Sequence, residues 1–312
     1  KEVIVTNRLS GTLQTTNVPI IKDQRIHQLQ VLSPSALTTY LRCPKQFYYK
    51  HIEHIKQPDI DETISVSDAT LGDVLHMIMQ HLYAPNTNIT ASTIIRLLEQ
   101  VNDDTYWSSL SPLESLQGDT LAECVVRTYV NNILNYDYTY TPFQFLHAEK
   151  EVSVRLAKYN ILLKGTIDRI DCKSNITRVI DYKTGKTDLE YTSMQDVFGI
   201  TPHSDTTGYI PRKKGKSHIL QTMLYCWILS EQYPNLTPHI YATRRLSDAT
   251  TCSHVYTKGT ATPVIFDEQI KKEFAKELDL LISEILNPDI PFHPTEDSHS
   301  CEYCPFALLC RK

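Results

Sequence analysis

Apolar residues recur along this chain at two spacings, and the spacing changes near residue 145. Before that point they return every three or four positions, the period of one face of a helix. Leu71, Val74, Leu75, Ile78, Met79 and Leu82 predict a helix over about 70–83, and similar patterns predict helices near 90–101 and 119–135. An earlier helix is marked by its start. Ser33 is a cap residue, Pro34 suits the first helical position, and Leu37, Tyr40 and Leu41 continue the pattern until Pro44 interrupts it just after Cys43. Residues 1–31 are mixed and β-leaning, read as a strand or linker segment.

After residue 145 the period drops to two, the signature of strands. Val152, Val154 and Leu156 alternate with polar residues; a second strand is predicted over 161–171 and a third over 177–183, joined by the hairpin signal Lys173-Ser174-Asn175. Residues 184–217 read as a long loop carrying the basic run Arg212-Lys213-Lys214-Gly215-Lys216. A helix at about 217–231, a strand at 238–245 and a helix at 267–286 follow, and then Pro288, Pro291 and Pro294 lead into a cysteine-rich tail. Helices, a three-strand meander, then helix, strand and helix point to a mixed α/β domain over 32–312 with its core at about 145–245.

Composition narrows this picture only a little. The 312 residues are 41% hydrophobic and 21% charged, which excludes a disordered chain, a collagen-like repeat and a coiled coil. No window approaches the ~20 apolar residues of a membrane span. The first residues lack a signal-peptide pattern, and the absence of an initial Met suggests a piece of a longer polypeptide. The net charge of −5 argues against a purely electrostatic nucleic-acid binder, but not against an enzyme whose acidic metal site lowers the total. Of eight cysteines, Cys124, Cys172, Cys226 and Cys252 are scattered singly and read as small buried hydrophobes. The expected compartment is reducing and cytoplasmic.

The chemistry concentrates in the meander. Gly165-Thr166-Ile167-Asp168 precedes Asp181-Tyr182-Lys183 across the predicted hairpin. Strand side chains alternate, so Asp181 and Lys183 share a face, and an antiparallel neighbour can set Asp168 beside Asp181. Two carboxylates that close repel unless a cation lies between them, and oxygen ligands with open positions suit Mg²⁺ or Mn²⁺. An adjacent lysine, desolvated and with a lowered pKa, can then help activate water or steady charge on a phosphate. Glu149 and Glu151 are further acidic candidates upstream, and their shared strand parity does not choose between them.

Asp168 with Asp181-Tyr182-Lys183 resembles the core of the PD-(D/E)XK nuclease superfamily, in its RecB-like branch. Three other stretches agree, in the family's order. Gly72-Asp73-Val74-Leu75-His76 is similar to a Gly-x-x-x-His helix, Gln221-Thr222-Met223-Leu224-Tyr225 to a Gln-x-x-x-Tyr helix, and Leu32-Ser33-Pro34-Ser35 with Tyr40 to Phe47 to the opening of an AddB-type nuclease domain. Ile167 stands where the eponymous Pro would be. The resemblance implies a restriction-endonuclease-like mixed sheet flanked by helices. It implies metal ligation by His76, Asp168, Asp181 and the Tyr182 carbonyl, with Lys183, Gln221 and Tyr225 completing the catalytic set. Arg169, Arg212, Lys213 and Lys214 are candidates for phosphate contact.

Cys301, Cys304 and Cys310 have C-x₂-C-x₅-C spacing, and Cys43 is the natural fourth ligand. Four thiolates hold either Zn²⁺ or an iron–sulfur cluster, and spacing alone does not separate them. The resemblance implies a [4Fe-4S] cluster. A link between opposite ends of the domain would act as a clasp stabilising by roughly 5 kcal/mol, by analogy with a disulfide. By resemblance the chain is the C-terminal part of a helicase–nuclease subunit that cuts single-stranded DNA exonucleolytically during double-strand-break repair, partnered by a helicase subunit or helicase domains. The alternatives are a non-catalytic DNA-binding module of such a complex and a zinc-stapled interaction domain.

Overall fold

The computed structural model describes residues 19–22, 24–56, 66–200, 215–246, 253–260, 262–302, 304 and 305–310. Arg212, Lys213, Lys214 and Cys252 lie outside these, as does most of the N-terminal segment. Two short strands, β1 (Val31–Leu32) and β2 (Thr87–Ile89), join the long meander β3 (Phe143–Leu156), β4 (Ile161–Lys173) and β5 (Ile176–Lys183). Beyond these come β6 (Glu190–Tyr191), β7 (Leu236–Ala242) and β8 (Tyr256–Thr257). The main sheet runs β2-β3-β4-β5-β7, with β1 also paired to β4, and β6 and β8 make a small separate sheet. The meander is antiparallel, while β5–β7 and β1–β4 are parallel, so the sheet is mixed.

The helices are α1 (Pro34–Arg42), α2 (Pro44–Phe47), α3 (Asp68–Leu82), α4 (Ala91–Asn102), α5 (Asp104–Ser108), α6 (Thr120–Tyr140), α7 (Met194–Val197), α8 (Ser217–Leu229), α9 (Glu268–Leu286), α10 (Ser298–Glu302) and α11 (Ala307–Cys310). The Ser33 hydroxyl accepts the Ala36 N–H with Pro34 in the first turn, so α1 starts where the cap chemistry placed it. Cys43 ends α1 and caps α2. The β4–β5 turn has positive φ at both Ser174 and Asn175 (51° and 64°), the backbone of a tight hairpin.

Two apolar layers cover the two faces of the sheet. One gathers α1, α8 and α9 around Leu37, Tyr40, Met223, Leu224, Leu281 and Ile282; the other gathers α3, α4 and α6 around Val74, Leu75, Ile94, Val130 and Ile133. The expected architecture is therefore observed, with corrections at the edges. The final helix of the N-terminal region runs on to Tyr140, the late strand stops at Ala242, and part of the expected loop after residue 184 folds as β6 and α7. Cys226 is buried as expected, but Cys124 is exposed and Cys172 only half-buried. Among the described residues no helix is long and apolar enough to cross a membrane.

Candidate metal centre and active site

The site forms where β4 and β5 part. Their register pairs Arg169 with Ile180, which brings Asp168 and Asp181 abreast at the next step. There the backbone ladder gives way, and the Tyr182 N–H donates to Asp168 Oδ2 at 2.7 Å. The other Asp168 oxygen faces His76, whose Nδ1 lies 3.5 Å from Oδ1. His76 reaches the sheet from α3, its ring edge-on to Tyr182.

Glu149 completes this group, with Oε1 3.4 Å from His76 Nδ1. The β3–β4 register decides between the two candidate glutamates. Ala148 pairs with Arg169 and Lys150 with Ile167, so Glu149 stands opposite Asp168. Glu151 pairs with Thr166 and turns outward to Lys164, 3.2 Å away. Glu149 has a φ of 44°, a left-handed conformation costly for a non-glycine residue inside a strand and of a kind that clusters at functional sites.

One ligand atom each of His76, Glu149 and Asp168 lies within 4.8 Å of the others, the one such trio of His, Cys, Asp or Glu among the described residues. An octahedral ion about 2.1 Å from each donor sets neighbouring donors about 3 Å apart, so the trio is close to the spacing a divalent cation needs. Asp181 lies beside the trio and is held by Lys183, with Nζ 2.9 Å from Oδ1 and 2.8 Å from Oδ2.

Electrostatics reflect the crowding. Burial, and then repulsion from Asp181, push Asp168 well above the usual carboxylate range, against the pull of His76, Lys183 and the Tyr182 N–H. Burial opposes the charged form of His76, but Glu149, Asp168 and Asp181 together raise it to about 9. The lowered Lys183 pKa is an expectation for the ion-bound site; in the ion-free site the balance runs the other way. Burial acts downward, yet attraction to Asp181 and Asp168 carries the amine above its ordinary value.

Helix α8 closes one side. Gln221 Nε2 is 3.5 Å from the Tyr225 hydroxyl. Gly165 makes this approach possible, because a Cβ there would lie 2.8 Å from Tyr225 Cε1 and 3.2 Å from Pro34 Cδ. Tyr225 thereby braces the strand that delivers Asp168.

Arg169 requires a correction. It makes no surface contact with a phosphate, because it is fully buried. Its guanidinium pairs with Asp137 on α6 at 2.6 Å and with Asp171 at 2.7 Å, while Arg178 donates to both Asp171 oxygens at 2.7 Å. Tyr83 at the end of α3 and Tyr241 on β7 also donate to Asp137, at 2.7 and 3.0 Å. Arg244 reaches the Tyr129 hydroxyl and Asp68, with about half its side chain exposed. Lys216 lies 3.3 Å from Asp188.

At the far end of the domain Cys43, Cys301, Cys304 and Cys310 line one cavity with Gln46, Tyr49 and Phe306. All four are free thiols. No three of their sulfurs fall within 4.8 Å of one another. The tail is also zipped to the N-terminal helices. Lys45 N–H donates to the His293 carbonyl, Ile20 bridges Phe292, and Lys22 Nζ and the Tyr40 hydroxyl reach Glu284.

A PD-(D/E)XK nuclease superfamily model matches residues 31–311 of this chain. A search of curated proteins returns no match. Among solved structures the chain is similar to the crystal structure of SSO0001, at 15% identity over 78% of this chain and 94% of that one, with a TM-score of 0.26, too low to carry any argument.

Proposed function

The chain belongs to the PD-(D/E)XK nuclease superfamily, and from that membership we propose that it is a metal-dependent deoxyribonuclease whose active site is the junction of β4, β5 and α3. The observation that carries this reading is the His76–Glu149–Asp168 trio set against the Asp181–Lys183 pair. His76, Glu149 and Asp168 would hold the divalent cation, with Asp181 alongside. Such an ion polarises phosphate oxygens and lowers the pKa of water. A set of one imidazole nitrogen and carboxylate oxygens favours Mn²⁺ over Mg²⁺, which prefers oxygen alone.

The protein's own groups supply orientation and charge. Lys183, held charged by Asp181, is placed to steady negative charge on the phosphate and to orient the attacking water. The Tyr182 N–H fixes one Asp168 oxygen and leaves the other turned toward His76. Tyr225 braces the strand with Gln221 beside it on α8, and Arg212, Lys213 and Lys214 remain candidates for the phosphate path.

The preferred substrate is single-stranded DNA, cut from an end during double-strand-break repair by a chain that works in the cytoplasm with a helicase subunit or helicase domains, as the AddB-like motif order implies. The test is digestion of end-labelled single strands with Mn²⁺ or Mg²⁺. Asp181→Ala and Lys183→Ala should lose on the order of 10²–10⁴-fold in rate with folding intact, and chelator should abolish activity. Undiminished cutting by both variants would sink the site assignment.

The cysteine cavity is read as the seat of a [4Fe-4S] cluster. A tetrahedral Zn²⁺ with sulfurs at about 2.3 Å would set them about 3.8 Å apart. The AddB-like motif order favours the cluster over that ion, and the metal content of anaerobically purified protein tells the two apart. Cys304→Ala should lose the iron and lower the melting temperature; full iron and an unchanged melt would refute the clasp.

A further inference from the structure

The chain after Cys43 does not continue as an ordinary helix. Residues Tyr48–Ile52 wind as a π-helix, a rare turn that shifts side chains out of α-helical step. Tyr49 sits on that turn and lines the cysteine cavity. Its ring packs 5.6 Å from Phe306, and Cys310 lines the same cavity. Lys45, only 6% exposed, places Nζ 6.0 Å from the Tyr49 ring centroid. Lys45 lies on α2, the short helix that Cys43 itself caps. The Gln46 N–H donates to Cys43 Sγ at 3.4 Å.

Four thiolates around iron and sulfide carry net negative charge, and a buried negative group needs donors or a cation beside it. Resting on the cluster reading above, we infer that Tyr49 and Lys45 are the outer sphere of that cluster: the Tyr49 hydroxyl donates to the Cys310 sulfur, and the buried Lys45 ammonium offsets the cluster's charge. Hydrogen bonds to the sulfurs and nearby charge both set a cluster's reduction potential and its hold on iron. Arg42 adjoins Cys43 in the chain, but it is exposed and its charge is screened by solvent. Among the described residues Lys45 is thus the cation that counts.

The test uses the whole chain, purified anaerobically with its iron. Iron per chain, the reduction potential followed by the visible absorption, and the rate of iron loss to a chelator are measured for each variant. Tyr49→Phe should keep its iron, shift the potential to more negative values and lose iron about tenfold faster. Lys45→Met should shift the potential further in the same direction, Lys45→Arg should restore most of it, and Arg42→Met should move it least. Unchanged potential and unchanged iron loss in iron-loaded Tyr49→Phe and Lys45→Met overturn the assignment. If Lys45→Met does not fold, Tyr49→Phe alone decides. Parent protein that binds zinc or no iron overturns the cluster reading itself, a result told apart by metal content before any variant is made.

Discussion

Two sets of buried charge meet on strand β4, one residue apart, and they are built to opposite ends. Arg169 and Asp171 join Asp137 and Arg178 in a network with as many acids as bases, every one at least 98% buried. Arg169 is held far above its usual range by Asp137 and Asp171 in spite of its burial, and Asp171 is held below the usual carboxylate range by Arg178 and Arg169. Asp168, next along, belongs to a group of three carboxylates faced by one lysine and one histidine. The balanced set closes on itself and ties α3, α6, β4 and β7 together. The unbalanced set keeps an excess of negative charge that a divalent cation would cancel. Charge balance, more than burial, separates the strut from the candidate site.

The strut should break hardest. Asp137→Ala strands Arg169 and the Tyr83 and Tyr241 hydroxyls in the interior and should cost about 3–5 kcal/mol in chemical denaturation. A loss below 1 kcal/mol would mean that the network contributes little to holding the sheet against α6.

The site should respond in the reverse sense. Asp168 has a folded-state pKa raised above its unfolded value, so its charge costs stability above that unfolded value and the cost is relieved as pH falls. Asp168→Asn should therefore stabilise the metal-free protein by about 1 kcal/mol at neutral pH. The same variant should lose the rise in melting temperature that Mn²⁺ gives the parent. A destabilised metal-free Asp168→Asn would mean that the carboxylates are already neutralised by the protein.

The smallest effect is a pH dependence. His76, raised to about 9, adds stability to the metal-free chain that is fully present below about 6.5 and lost as pH rises through 9. A ligand nitrogen must shed its proton, so Mn²⁺ affinity should climb with pH up to about 9, by at most about tenfold per unit from this group. Calorimetric titrations at several pH values measure the slope, and His76→Gln should flatten it.

Much of the fold was legible because it is local. The helical period gave α3 and α4, the cap at Ser33 gave the start of α1, and alternation with Ser174-Asn175 gave the meander and its turn. Asp168, Asp181 and Lys183 were also readable together, since hairpin register follows from turn length. Glu149 was not separable from Glu151, because parity is identical and only the pairing to β4 sets one opposite Asp168. Arg169 was misread for a related reason: a basic residue beside the site looks like a phosphate contact until Asp137, 32 positions earlier on a helix, is seen to enclose it.

The amino-acid sequence alone determined which elements form and which residue types meet on the hairpin, since both depend on spacing of a few residues along one chain. Tertiary packing decided which charges are compensated. That depends on partners from α3, α6 and β3, far off in the chain, and on burial that no linear pattern encodes.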